Sequence, residues 1–197
     1  MSKLSRLLIL LASALVLVSL ATPLWRIRLL APQYPEGLGM DIHAGTVVGA
    51  REHDLQSINS LNHYIGMRAI EPEEIAELRV IPWCIGGLAV LGFVVAAAGR
   101  RWMAIGWLAS FAVFGVVALS DFYHWEYEYG HELDTAHAII KVPGMTYQPP
   151  LIGSKQLLNF TASAWPGIGG WAAGLSLGLV TVAVVLAFRR PREPGLG

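Results

Sequence analysis

Asp54 to Met67 (DLQSINSLNHYIGM) is the densest set of soft and polar groups in an otherwise mostly apolar chain. On a helix, Asn59, His63 and Met67 would recur at i, i+4 and i+8 and share one face. An imidazole and a thioether one turn apart are a donor pair for copper, Cu(I) above all. The plainer alternative is that Met67 packs, His63 hydrogen-bonds and the two asparagines cap or bridge. Met40, His43 and the loop residue Met145 stand as completing ligands. His124, His131 and His137 form a second candidate group, with His124 and His131 two helical turns apart and Gly130 between them weakening the helix. HELDTAH has metal-ligand density but matches no fixed zinc spacing and contains no HExxH. The alternative there is a solvated acidic face, since Asp121, Glu126, Glu128, Glu132 and Asp134 crowd the same stretch among Phe122, Tyr123, Trp125, Tyr127 and Tyr129.

Other chemistry is missing. The only cysteine, Cys84, lies in an apolar run, which excludes an internal disulfide and a CxxC site; it reads as a small buried hydrophobe. Walker, GxGxxG, GxSxG and CxxCH patterns are absent, and no nucleophile–base pair stands out. An enzyme in its own right is not expected. Formal net charge is zero, so nothing points to nucleic acid.

The elements that would position these donors are set by hydropathy. Of 197 residues, 54% are hydrophobic and only 14% charged, the composition of a membrane protein. Four apolar runs are long enough to span a bilayer: Leu7–Leu24, Val80–Gly99, Trp102–Ser120 and Ile168–Phe188. The first reads as an uncleaved signal anchor (residues 1–24), a cleaved signal peptide being the alternative. Arg100 and Arg101 make the tight turn of a helical hairpin, and Pro82 falls at the start of its run. Lys3, Arg6, Arg100, Arg101, Arg189, Arg190 and Arg192 then lie on one side, against the single acid Glu193. The positive-inside rule puts both termini and the 189–197 tail in the cytoplasm of a bacterial inner membrane. Arg26 and Arg28 count against this orientation but are outvoted. Trp25, Trp83, Trp125 and Trp165 fall at the outer ends of the runs, as an interfacial belt would. No ionisable group sits mid-span, which argues against a proton or ion pathway. Gly170, Gly174 and Gly178 form a GxxxGxxxG face that would pack the fourth span on the bundle or on a second copy.

The expected fold is therefore an all-α polytopic membrane protein: four transmembrane helices with a small mixed periplasmic cap. The cap is formed by residues 25–79 and 121–167. In the first segment, Leu38–His43 and Thr46–Val48 suggest a short hairpin. Asp54 is the expected N-cap of a helix to Ile65, ended by Gly66. If it ends there, Met67 leaves the shared face. Glu71-Pro72-Glu73-Glu74 should open a helix running into the second span. The second segment starts as an extension of the third span and then becomes a Pro-rich loop, with a short helix over Ser154–Phe160.

YPEGLGMDIHAG, DLQSINSLNHYIGM and YGHELDTAHAIIKVPGMTYQPPLIGSKQLLNF resemble an integral-membrane family of nitrous-oxide-reductase gene clusters, mainly the clade II type. The specific strings are Leu61–Met67 and Pro149–Phe160. The resemblance implies an accessory role near a periplasmic multicopper reductase and gives a reason to take the His and Met groups as copper-facing; it carries over no catalytic residue. The expected function is thus assistance to maturation or electron supply of such an enzyme, with copper bound transiently. The alternatives are a structural or docking subunit with a protein partner in the membrane or periplasm and, more weakly, a small-solute or metal transporter.

Overall fold

The computed structural model describes residues 1–189, so Arg190, Arg192 and the rest of the basic tail lie outside the described residues. Within them, four helices are long and apolar enough to cross a membrane: α1 (Lys3–Ala21), α3 (Glu77–Ala98), α4 (Arg101–His131) and α5 (Ile168–Phe188). The remaining elements are β1 (Trp25–Ala31), β2 (Tyr34–Ile42), β3 (Val47–Gly49), α2 (Asp54–Ile65), a 3-10 turn at Pro72–Glu74, β4 (Gly153–Leu157) and β5 (Phe160–Pro166).

In the bundle, α1 is the central helix, with its largest interfaces against α5 and α3. Its buried stripe is small and hydroxylic: Ser5, Ile9, Ala12, Ser13, Val16 and Ser19 recur on one face. Small residues let backbones approach, and hydroxyls then bond across the contact. Ser19 Oγ donates to the Gly169 carbonyl and Ser176 Oγ to that of Ala12, both at 2.8 Å. Gly92 marks the tightest crossing, where an added Cβ would run into Ser13 and the Trp107 ring. Trp107 is buried there and donates its Nε1–H to the Leu88 carbonyl at 2.9 Å.

The face of α5 that packs is Gly169, Ala172, Ser176, Val180 and Ala183. The GxxxGxxxG face does not pack on the bundle: Gly170 abuts Leu24, but a Cβ at Gly174 or Gly178 would meet nothing else in this chain. Cys84 is exposed on α3 rather than buried. Pro82 lies inside α3, because that helix starts at Glu77, before the apolar run. Glu71–Glu74 does not run into α3 either; the 3-10 turn ends at an extended Ile75.

The all-α expectation is also corrected, because the cap contains a five-stranded antiparallel sheet of order β3-β2-β1-β5-β4. The β2–β3 hairpin matches the reading of residues 38–48, pairing Met40 with Gly49 and Ile42 with Val47. The predicted helix over Ser154–Phe160 is a hairpin instead. Leu158 takes a φ of 53° in the turn, and Gly153–Leu157 pairs with Phe160–Pro166. Tertiary pairing overrode the weak local signal. α1 gives way to strand after only Thr22, Pro23 and Leu24, since Pro23 cannot continue the helix. The Leu24 amide already donates to the Ile42 carbonyl at 2.7 Å.

The central pairing is between β1 of the first outer segment and β5 of the second, from Trp25↔Pro166 to Leu30↔Thr161. It makes the two segments one cap. One face of the sheet buries Ile27, Leu38, Met40, Val47 and Ala164 in the cap core. Arg26 and Arg28, the two residues that opposed the orientation argument, share Asp41 at 3.6 and 2.9 Å.

Candidate functional site

The Asp54–Ile65 helix forms as expected, with Gly66 in the left-handed region at φ 79°. Met67 therefore leaves the Asn59–His63 face. Asp54 is not the N-cap; that position is His53. The Asp54 carboxylate instead accepts the Gly39 amide at 2.9 Å, tying α2 to β2. Asn59 spends both amide atoms on Ile70, accepting its N–H at 2.8 Å and donating to its carbonyl at 3.1 Å. Asn62 donates to the Arg68 carbonyl. The asparagines thus clamp the chain that follows the helix.

The second outer segment docks on the end of α2. The Asp134 amide donates to the Gly66 carbonyl, and the amides of Ile139 and Ile140 both reach the Tyr64 carbonyl. α4 continues unbroken through Gly130 to His131. Gly130 is not a weak point but a crossing, since a Cβ there would collide with the backbone of Gln148. The Tyr147 amide donates to the Gly130 carbonyl at 2.9 Å, so the loop lies against the helix.

These contacts frame a partly open chamber of about 410 Å³ between the sheet, α2, the end of α4 and the Tyr147 loop. Its walls are apolar and aromatic, with Ile27, Tyr34, Leu38, Ile58, Tyr129 and Phe160 among them. Met40 and Met67 both border it. So does Glu126, wholly buried, whose two carboxyl oxygens have no hydrogen-bond partner in the protein. Burial without a counter-charge pushes Glu126 up to about 8. Glu126 lies beyond the apolar run of α4, in the part that enters the cap. The sequence reading placed it on a solvated acidic face. The available signal was its spacing four residues before Gly130, which puts a carboxyl on the face that a crossing loop covers.

A second cavity of about 450 Å³ lies below, between the outer ends of the bundle helices and the cap. It is walled by residues such as Val16, Ile85, Phe111 and Leu177 and rimmed by His43, Glu77, Asp121, His124 and Glu128. Trp125 alone borders both cavities.

The candidate donors thus fall into separate places. Met40 and Met67 share the chamber; His43 and His124 share the rim of the lower cavity; His63, His131, His137 and Met145 border neither. His63 is exposed on the last turn of α2. His124 pairs with Glu128 at 3.1 Å, while His131 bonds to the Tyr127 carbonyl and stacks on its ring. His137 bonds to Asp134 at 2.7 Å, and this bond holds the Asp134 carboxyl below the usual carboxylate range. Among the described residues, no three His, Cys, Asp or Glu side chains gather as a metal site. Met40 and Met67 are the soft donors that border one chamber.

No family model and no curated protein matches the chain.

Proposed function

We propose that this chain is a non-catalytic accessory protein of the bacterial inner membrane, with its cap in the periplasm. It serves maturation of, or electron supply to, a periplasmic copper enzyme such as nitrous-oxide reductase. The four membrane-length helices support the anchoring, and the basic Arg100-Arg101 turn supports the orientation. The observation that carries the copper part is that two thioethers from separate elements, Met40 and Met67, border one chamber. Thioether donors favour Cu(I), and apolar surroundings lower the polarity around it.

An anaerobic Cu(I) titration against a chromophoric chelator, with Zn(II) and Cu(II) run alongside, tests this. One tight equivalent selective for Cu(I), lost in the Met40→Leu/Met67→Leu double variant and kept in His63→Ala, supports the reading. No competition at any ratio removes copper from it.

A docking subunit is the second reading, favoured by a specific surface. Tyr64, Ile139, Ile140 and Val142 are all exposed where the second segment lies on α2. Clustered exposed apolar side chains mark protein contact sites. A stoichiometric partner that copurifies without metal, and is lost from Ile139→Glu/Ile140→Glu, would select this reading.

A further inference from the structure

The lower cavity, of about 450 Å³, is as deep as one leaflet of a bilayer. Its innermost α4 residue is Phe111, and the first carboxylate met toward the cap is Asp121, ten residues on. At a helical rise of about 1.5 Å per residue that is about 15 Å, half of a ~30 Å hydrocarbon core. The α4 residues that border it between these two, Phe114 to Leu119, all belong to the apolar run. Trp125 also borders it, one turn above Asp121, at the level where indoles meet lipid head groups.

The wall is accessible from the side. α4 meets α3 and α5 over small interfaces and has none of comparable size with α1. The space left among the four helices is bordered by Val16 of α1, Ile85 of α3, Phe114 of α4 and Leu177 of α5. Leu119 of α4 and Gly174 of α5 border it too and are themselves exposed. A Cβ at Gly174, or at Gly115 on α4, would meet nothing within 4 Å. All three positions lie within apolar runs, so what reaches them in a membrane is hydrocarbon and not water.

The rim adds a charge preference. No Lys or Arg borders the cavity, whereas Glu77, Asp121 and Glu128 do, with His43 and His124. Glu128 is bonded to His124 at 3.1 Å. Glu77 and Asp121 form no salt bridge among the described residues. They lie close enough to repel each other, and only His124 counters this at Asp121.

We infer that the lower cavity seats one acyl chain of a phospholipid from the cap-side leaflet, with Glu77 and Asp121 taking the ammonium of an ethanolamine head. That ammonium supplies both N–H donors and the positive charge the rim lacks. Phosphatidylglycerol offers neither, and phosphatidylcholine offers the charge without an N–H. The inference rests on the membrane anchoring proposed above and on neither copper nor a reductase.

The test is photo-crosslinking of the full chain in phosphatidylcholine nanodiscs. The probes are phosphatidylethanolamine and phosphatidylglycerol, each with a diazirine on one acyl chain, and labelled residues are read by peptide mass spectrometry. Val113, Val116 and Trp171 are exposed and border neither cavity, so they report lipid around the bundle. Val16, Ile85 and Phe111 are buried and border the lower cavity, so they report a chain inside it.

Both probes should label the exposed set. Phosphatidylethanolamine should label the buried set about fivefold more than phosphatidylglycerol does. In Glu77→Gln/Asp121→Asn the two probes should label the buried set about equally. Both substitutions fall at exposed positions, so the fold is kept. Label confined to the exposed set overturns the inference and leaves the anchoring standing, whereas label on neither set overturns both. Equal labelling of the buried set in wild type overturns it too, as does a preference that survives in the double variant.

Discussion

The Asp134 amide donates to the Gly66 carbonyl at 2.8 Å, and through this bond the second outer segment is seated on the end of α2. Gly66 is needed twice over. Its φ of 79° is left-handed, and an added Cβ would come within 2.7 Å of the Asp134 carbonyl oxygen. A side chain in that conformation costs roughly 1–2 kcal/mol before any clash. Gly66→Ala should therefore loosen residues 132–152, read as faster proteolysis there and a lower Tm, with α1 and α5 unaffected.

Asn59 and Ile70 form the other clamp on the turn after α2. Asn59→Leu would leave the Ile70 N–H and carbonyl unpaired, at about 1–3 kcal/mol for a buried backbone group. The expected outcome is faster hydrogen exchange over residues 66–71. An exchange pattern like wild type would mean that water replaces the amide at no cost.

In the bundle, Gly92 and Gly174 make a paired test. At Gly92 a methyl group meets Ser13 and Trp107, whereas at Gly174 it meets nothing within 4 Å. Gly92→Ala should cost about 1–3 kcal/mol by overpacking. Gly174→Ala should be neutral or slightly stabilising, because alanine is the better helix former. Thermal unfolding in detergent distinguishes them, and equal losses would mean that Gly174 packs against something outside the chain.

Glu126 sets a pH dependence of stability. Its ordinary value is 4.5, and burial raises it to about 8 in the folded protein. Between those values the folded state holds a proton that the unfolded state has released. Stability must therefore fall as pH rises from about 4.5 to about 8 and level off above, by several kcal/mol in order of magnitude. Glu126→Gln should flatten this slope and be more stable than wild type at pH 8. Tm measured at pH 5, 6.5 and 8 for both proteins checks the sign.

The resolved helices show where sequence reasoning reaches. The α5 run was legible to the residue, since a charge-free stretch of that length is both a helix signal and a membrane signal. The end of α2 was legible because Gly66 has one favoured role there. The β4–β5 hairpin was not, because β5 is held by pairing with β1, which is over a hundred residues away in the chain, and β4 pairs in turn on β5. Glu126 was misplaced for a similar reason. Its spacing from Gly130 sets it on the opposite helix face from half-exposed Glu128, but which of those faces is covered is decided only where the Tyr147 loop crosses the helix.

The sequence by itself determined the four apolar helices, the Arg100-Arg101 turn, the β2–β3 hairpin and the α2 boundary, because each rests on hydropathy, charge or turn residues within a short window. Only the tertiary structure decided that β1 pairs with β5, that Met40 and Met67 border one chamber while His63 does not, and that Glu126 is the carboxyl sealed beside them. Those are relations between segments far apart in the chain. Burial and hydrogen bonding assign a side chain its role only after such segments have met.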